Sequence, residues 1–417
     1  MSLETGAVEK EVTLFQIGQF GDLWDSNEQE MEPSLRRMAT KKEINGLIEC
    51  IGEFPKWGVL NEDCKREVIK HLDYKARHNL QLCSKSDYKL VEEVPIYVHK
   101  IEMEDAERNY HNLKLENVSS VVVRIQFHED YVKGKQVQLV FCQNKEDTEI
   151  RWLKCLKSKA PELQVVVIKS SNYYKEAVKL VEKWMKKCDY KLNTLHIKMK
   201  QFLFEDSQIK FLPRCRQIRI ISDSVTSFQW WLQRVPEQLH CIQLGTHYQI
   251  VEDVATLVEF LLQPRIVNVN RLELYFYVPL TDEQFLSLRA RSLHFNSINI
   301  TDEGINKFIK NWVNGKCVND FRQAILQSEQ SRNVSILKEG IELREWDEQF
   351  EMEARGFVSD YSRNCGRGNA CQISSLVDPF ESITLSIHDY CVSIYATGKK
   401  VTRNGRIYTK YEIPPHA

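Results

Sequence analysis

Between residues 57 and 98 the apolar positions follow a helical period, and beyond 98 the period shortens to that of strands. Leu60, Cys64, Val68, Ile69 and Leu72 recur every four residues or so and share one face of a helix of about three turns. Asn61 and Asp63 suit its start. Asp73 breaks the pattern and can cap a second short helix carrying Ala76, Leu80 and the pair Leu82–Cys83. Ser84, three residues ahead of Asp87, offers a third cap before Tyr88, Leu90 and Val91, and Pro95 ends that helix. Three helices this short bury little by themselves, so a partner or the next domain is expected to complete them.

From there short apolar runs recur: VVVRIQF (121–127), LQVVVIKS (163–170), LNTLHIKM (192–199), CRQIRIIS (215–222), LHCIQLG (239–245), VNRLELYF (269–276) and ARSLHFNS (290–297). Amphipathic stretches lie between them. Val178, Val181, Trp184 and Met185 share a face in one, and Val254, Leu257, Val258, Leu261 and Leu262 in another. A strand plus a helix every 20 to 30 residues predicts an irregular α/β solenoid of the leucine-rich-repeat type. An open α/β sheet is the alternative, since βαβ units give a similar pattern. Thr-Asp-Glu occurs at 281–283 and again at 301–303, each a helix N-cap with acids at the positive helix end. The second helix carries Ile305, Phe308, Ile309 and Trp312 and stops at Asn314-Gly315. Near the C-terminus Ile383, Leu385 and Ile387, then Val392 and Ile394, alternate with mostly polar residues, and Asn404-Gly405 marks a tight turn. These strands predict a β cap on the edge of the array.

The predicted class is therefore α+β. Residues 1–50 form a polar leader, in which Leu14, Phe15, Ile17 and Phe20 suggest one short helix. Residues 54–98 form the helical unit, 99–335 the α/β region and 336–417 the β-rich cap.

Composition narrows the function. The chain has 417 residues, with 57 Lys and Arg against 58 Asp and Glu, so no global field draws it to nucleic acid or an anionic membrane. The basic run KWMKKCDYK (183–191) reads as a solvated helix face rather than a nucleic-acid contact. No run approaches the ~20 apolar residues of a membrane span. The first residues carry acids where a secretory signal needs bases, so a cytoplasmic or nuclear location is expected. The twelve cysteines are scattered without a C-x-x-C pair, which argues against zinc and for a reducing compartment.

No motif for catalytic chemistry occurs in the sequence. No phosphate-cradling Gly-rich loop and no G-x-S-x-G elbow occur. Cys365, Cys371 and His388 lie near one another in sequence, but a free thiol and a strand histidine explain them. Asp206, Asp223, Asp253 and Asp282 follow strands or open helices, where capping accounts for them. No catalytic residue, metal ligand or cofactor is predicted.

The string Trp57-x-x-Leu60, then Val68-Ile69-x-x-Leu72-Asp73, then Arg77-x-x-Leu80-x-Leu82-Cys83-Ser84-Lys85-x-x-Tyr88 resembles an F-box, and more narrowly that of the expanded nematode F-box family. F-boxes usually carry Leu-Pro at the first helix; here the pair is Leu60-Asn61, and asparagine can still cap. INKFIKNWVNGK (305–316) resembles the F-box-associated region of the same family. The resemblance implies a substrate receptor of a cullin-based ubiquitin ligase that supplies proximity rather than covalent chemistry. It implies a Skp-type adaptor, and through it a cullin, as partner of Trp57, Leu60, Cys64, Val68, Ile69, Leu72, Leu80, Leu82 and Cys83, at or beneath the interface. The later region would hold an unidentified target protein. The alternative is a leucine-rich-repeat-like scaffold without a ubiquitin role, in which the three helices are only a cap.

Overall fold

The computed structural model describes residues 57–106, 119–127, 136–156, 159–188, 192–200, 207, 209–246, 258–349, 352, 370–398, 400–403 and 406–409, apart from 73, 238, 260, 346 and 379–380. The expectations for residues 1–50, Asp73, Asp206, Asp253, Val254, Leu257, Cys365 and Asn404-Gly405 lie outside these residues. The chain divides into two compact units, Met1–Asn193 and Thr194–Ala417, and the division falls inside the predicted 99–335 region.

The first unit begins with a 3-10 turn, Trp57–Val59, followed by α1 (Glu62–Lys70), α2 (Tyr74–Gln81) and α3 (Lys85–Glu93). Next come β1 (Val98–Asp105), β2 (Ser120–Phe127), β3 (Val137–Asn144), β4 (Asp147–Leu156), β5 (Lys159–Ile168) and α4 (Tyr173–Lys187). The five strands pair in sequence order, each antiparallel to the last. α4 lies on β2 and β3, burying Ala177, Val178, Val181 and Met185.

This meander corrects the expectation that repeats begin at residue 121. Only Lys145 and Glu146 separate β3 from β4, with Lys145 at a φ of 56°. Two residues suffice for a hairpin, whereas a parallel pair needs a crossover of about a dozen residues or more. β1 and β4 escape a search for apolar runs because charged residues occupy one face. Arg124 reaches Glu104 at 2.6 Å and Glu102 at 3.5 Å between β2 and β1, and Arg151 meets Glu149 at 2.6 Å on β4.

The second unit opens with β6 (Leu192–Lys198) beside β7 (Cys215–Ile221), then α5 (Val225–Leu232) and β8 (Cys241–Gly245). α6 (Pro264–Val267), β9 (Arg271–Val278), α7 (Asp282–Ser287), β10 (Ser292–Ser297), α8 (Asp302–Val313), β11 (Gln323–Gln327) and α9 (Val334–Lys338) follow. From β7 to β11 the strands pair parallel and in sequence order, with helical crossovers between them. The register stacks apolar residues into ladders. Ile218, Ile242, Leu272, Leu293 and Ala324 form one, and Ile220, Leu244, Leu274, Phe295 and Leu326 the next; all are buried. The intervening positions make a second, largely polar face.

β12 (Arg344–Glu345), β13 (Ala370–Ser374), β14 (Glu381–His388) and β15 (Cys391–Gly398) continue this sheet in the order β11-β15-β14-β13-β12, antiparallel throughout. β15 thus covers the edge that β11 would otherwise present. β16 (Lys400–Arg403) and β17 (Arg406–Thr409) form a separate hairpin.

Candidate functional site

The three N-terminal helices are built around Ile69, Leu90, Val91 and Val94, with Trp57, Leu72 and Leu80 packed against them. The starts of α1 and α3 are secured by their own side chains. Asn61 is the N-cap of α1, and its side-chain oxygen accepts from the Cys64 N–H at 2.8 Å. Ser84 accepts from the Asp87 N–H at 3.0 Å, and the Ser84 hydroxyl donates back to Asp87 Oδ2 at 2.7 Å. Asp87 Oδ1 accepts from the Trp57 indole N–H at 2.8 Å, which ties the leading turn to α3. α3 stops at Glu93, and Val94 turns extended (φ −85°, ψ 117°), as the following Pro95 requires.

Arg77 is the buried cation among the described residues of these three helices. Its guanidinium donates to the carbonyls of Leu72 (3.1 Å), Val94 (2.9 Å), Pro95 (3.1 Å) and Lys70 (3.4 Å). It therefore bridges the end of α1 to the exit of α3, satisfying carbonyls that the helix ends leave unpaired.

The helices are completed by their own unit. The Tyr74 ring stacks on Phe127 of β2, with centroids 4.5 Å apart, and Trp184 of α4 lies 5.8 Å from Tyr74 and 5.5 Å from Phe127. Lys187 Nζ meets Glu92 Oε1 at 2.7 Å, and Gln81 donates to the same oxygen at 2.7 Å. Burial pushes the Glu92 carboxyl up, but Lys187, Lys183 and Gln81 outweigh it and hold it below its ordinary value. Burial pushes the Lys187 ammonium down, and Glu92 offsets this only in part. Lys187 is the less exposed partner, so its loss of hydration is the larger one and the pair adds little net stability. The basic run at 183–191 is thus partly committed to an internal contact.

The predicted adaptor-facing residues separate by depth. Ile69 is fully buried and belongs to the core. Trp57, Leu60, Val68, Leu72 and Leu80 are half-buried. Cys64, Leu82 and Cys83 are exposed, Leu82 by 53%. Leu60 lies in the turn before α1 rather than inside the helix. Val59, 78% exposed, is an outward apolar side chain that helical periodicity could not find, because it sits in the 3-10 turn. Its signal is an apolar pair, Val59-Leu60, immediately before a cap.

In the second unit the polar face of the parallel strands centres on Glu273, which is 2% exposed. Gln243 Nε2 and Tyr275 Oη each donate to its Oε2 at 2.5 Å, and Arg271 pairs with its Oε1. The His294 ring lies 5.1 Å from that of Tyr275. Burial first, then Glu273, pushes the Tyr275 hydroxyl well above its ordinary range. A carboxylate held this way is acceptor-saturated and anchors its neighbours. Sequence reading passed over it, since one acid in LELYF looks like an exposed strand position.

Among the described residues no group of His, Cys, Asp and Glu could hold a metal ion, and no helix is long and apolar enough to cross a membrane. Cys371 is buried on β13, where burial pushes its thiol up to about 11, away from nucleophilic use.

Comparison with known proteins places these features. An F-box domain family model matches residues 57–99, and an F-box-associated family model matches residues 263–319. An uncharacterized F-box protein of Caenorhabditis elegans is 40% identical over 381 residues, covering 91% of this chain and 98% of its own length. No solved structure matches.

Proposed function

Since the chain belongs to the family of nematode F-box proteins with an F-box-associated region, we propose that it is the substrate-recognition subunit of an SCF-type cullin ubiquitin ligase. F-box proteins in general are non-catalytic ubiquitin-ligase adaptors. In this reading α1–α3 dock a Skp-type adaptor, which links the chain to a cullin, and the second unit binds the target protein. The contribution to ubiquitin transfer is proximity: a held target meets the transfer enzyme at raised effective concentration.

One observation carries the reading. The unit matched as an F-box keeps a self-contained core, closed by Arg77 and Asp87, yet leaves Val59 and Leu82 in solvent. Apolar side chains that the fold does not need for itself are what an adaptor groove would bury. Leu82, Val59, Cys64 and Cys83 are then the contact residues, while Ile69 and Leu72 support them from below.

A capture experiment with a purified Skp-type adaptor tests this. Wild type should bind, and Leu82→Asp and Val59→Asp should each weaken capture at least tenfold with unchanged thermal unfolding. Failure of the wild type to bind, or full binding by both variants, removes the reading. The remaining alternative would be a leucine-rich-repeat-like scaffold without a ubiquitin role, which the sequential parallel order of β7–β11 supports.

A further inference from the structure

The amino ends of β7–β11 carry a row of cations. The pairing of Gln217 with Cys241 puts Arg216 beside His240. The Arg271 N–H donates to the His240 carbonyl at 3.0 Å, the Arg291 N–H to that of Asn270 at 2.9 Å, and the Arg322 N–H to that of Arg291 at 2.7 Å. Backbone pairing therefore aligns Arg216, His240, Asn270, Arg291 and Arg322 across the successive strands, with Arg271, the residue after Asn270, one position further along β9. Arg216, Arg271 and Arg322 are exposed and Arg291 is half-exposed. The four guanidiniums are close enough that, after burial, they are what lowers the basicity of His240. Asn270 Nδ2 lies 3.0 Å from His240 Nδ1, and its amide can donate only to an unprotonated ring nitrogen.

Among the described residues two acids have ion pairs with Arg271 or with the row itself. Glu273 is buried and shared among Arg271, Gln243 and Tyr275, and Asp320 lies 3.6 Å from Arg291. Like charges aligned this closely repel one another, and folding alone does not call for them. We propose that this rim binds an acidic segment of a target protein, its carboxylates paired with Arg216, Arg291 and Arg322. The spacing selects the ligand. Strands lie about 4.8 Å apart, so the row from β7 to β11 spans roughly 19 Å, the length of an extended peptide of about six residues. The arginines form a line rather than a cradle converging on one point, which suits several carboxylates better than one phosphate. The near-balanced charge of the chain and the short reach of the row disfavour nucleic acid.

The inference deepens the substrate-receptor reading and rests on it only in calling the ligand a target. It is tested on the full chain without any adaptor, so loss of adaptor capture would not affect the result. The probe is a fluorescein-labelled octapeptide of alternating Glu and Ser, followed by anisotropy at low salt. Wild type should bind it, the triple variant Arg216→Gln/Arg291→Gln/Arg322→Gln should weaken binding at least tenfold with a shallower salt dependence, and Lys179→Gln on α4 should change nothing. Circular dichroism melts keep the comparison among folded proteins; should the triple variant melt early, Arg216→Gln and Arg322→Gln singly should each still weaken binding about threefold. Equal binding by wild type and the variants would overturn the proposal. So would tighter binding of a single-stranded oligonucleotide, or of an octapeptide carrying one phosphoserine and no Glu.

Discussion

Asp282 and Thr301 are joined twice: Asp282 Oδ1 accepts from the Thr301 backbone N–H at 2.9 Å, and Oδ2 accepts from the Thr301 hydroxyl at 2.6 Å. Thr301 in turn caps α8, its hydroxyl oxygen accepting from the Gly304 N–H at 3.0 Å. The link recurs one step along the array. Asp302 accepts from the backbone N–H of Asn333 at 2.6 Å, and Asn333 caps α9. Each aspartate of the two Thr-Asp-Glu motifs thus fixes the start of the next helix as well as favouring its own. Gly304 fits beneath this contact, since an added Cβ would collide with the Asp282 carboxylate.

A mutant cycle on this pair should show strong coupling. Alanine in place of helical glycine ordinarily stabilises by about 1 kcal/mol. Gly304→Ala should instead destabilise, because the carboxylate is held by two hydrogen bonds and cannot give way. Asp282→Ala should cost about 1–3 kcal/mol through the lost charge-assisted bonds. In the Asp282→Ala background, Gly304→Ala should become neutral or stabilising. Urea unfolding midpoints of the four proteins decide it, and additive effects would mean that the contact is not formed.

Arg77→Met keeps the length of the side chain but removes its donors. The carbonyls of Leu72, Val94 and Pro95 then lose their partner, and the three-helix unit should lose about 2–4 kcal/mol. Hydrogen exchange should show this as faster exchange in α2 and α3 with little change in β7–β11. Uniform protection in the variant would contradict the bridging role.

Asn61 occupies the place where the family usually carries proline, and the geometry explains why either residue serves. Its φ is −66°, within the range that a proline ring imposes, so Asn61→Pro exchanges a side-chain cap for backbone stiffness. The change should stay within about 1 kcal/mol, whereas Asn61→Ala, which loses the bond to Cys64 N–H and adds no stiffness, should cost about 1 kcal/mol. Thermal unfolding of both variants beside wild type separates them. A far larger loss with proline would show that the backbone N–H of residue 61 is needed.

How far the sequence foretold this depends on range. The helical unit was legible down to its caps, because Asn61, Ser84 and Asp87 act within one turn of their own positions. The parallel strands β7–β10 were legible because their inward positions are apolar at every second residue. What failed depended on partners distant in sequence. In the meander β1 lies hidden behind cross-strand ion pairs such as Arg124–Glu104, which look like surface charge until the register is known. The depth of each residue expected at an adaptor interface was hidden too, since Ile69 and Leu82 look equally apolar in one dimension. The cation row is set by register, as Arg216, His240, Arg291 and Arg322 are separated by 24, 51 and 31 positions along the chain.

Acid sensitivity should concentrate at Glu92. Its carboxyl lies below the unfolded value of 4.5, so its share of stability is present above about that pH and is lost as pH falls through the lower folded value. Lys187→Met removes the main group opposing burial. The carboxyl should then move up, and the acid-unfolding midpoint followed by circular dichroism should shift to higher pH. An unchanged midpoint would mean that the pair does not form in solution.

Glu273→Gln offers the sharpest separation of stability from recognition. The carboxylate is buried and accepts from three side chains, so its neutral isostere should cost about 1–3 kcal/mol in unfolding free energy. The cost stays moderate because Arg271 is exposed enough to be hydrated once released. With Glu273 neutral, Arg271, one position from the row, turns from a paired cation into a free one, and one of the two acids paired there loses its charge. Binding of the Glu/Ser octapeptide should therefore strengthen about threefold while the protein melts earlier, a combination that general loosening of the sheet would not produce. Weaker binding together with earlier melting would instead mean that Glu273 shapes the rim only by holding the strands in place.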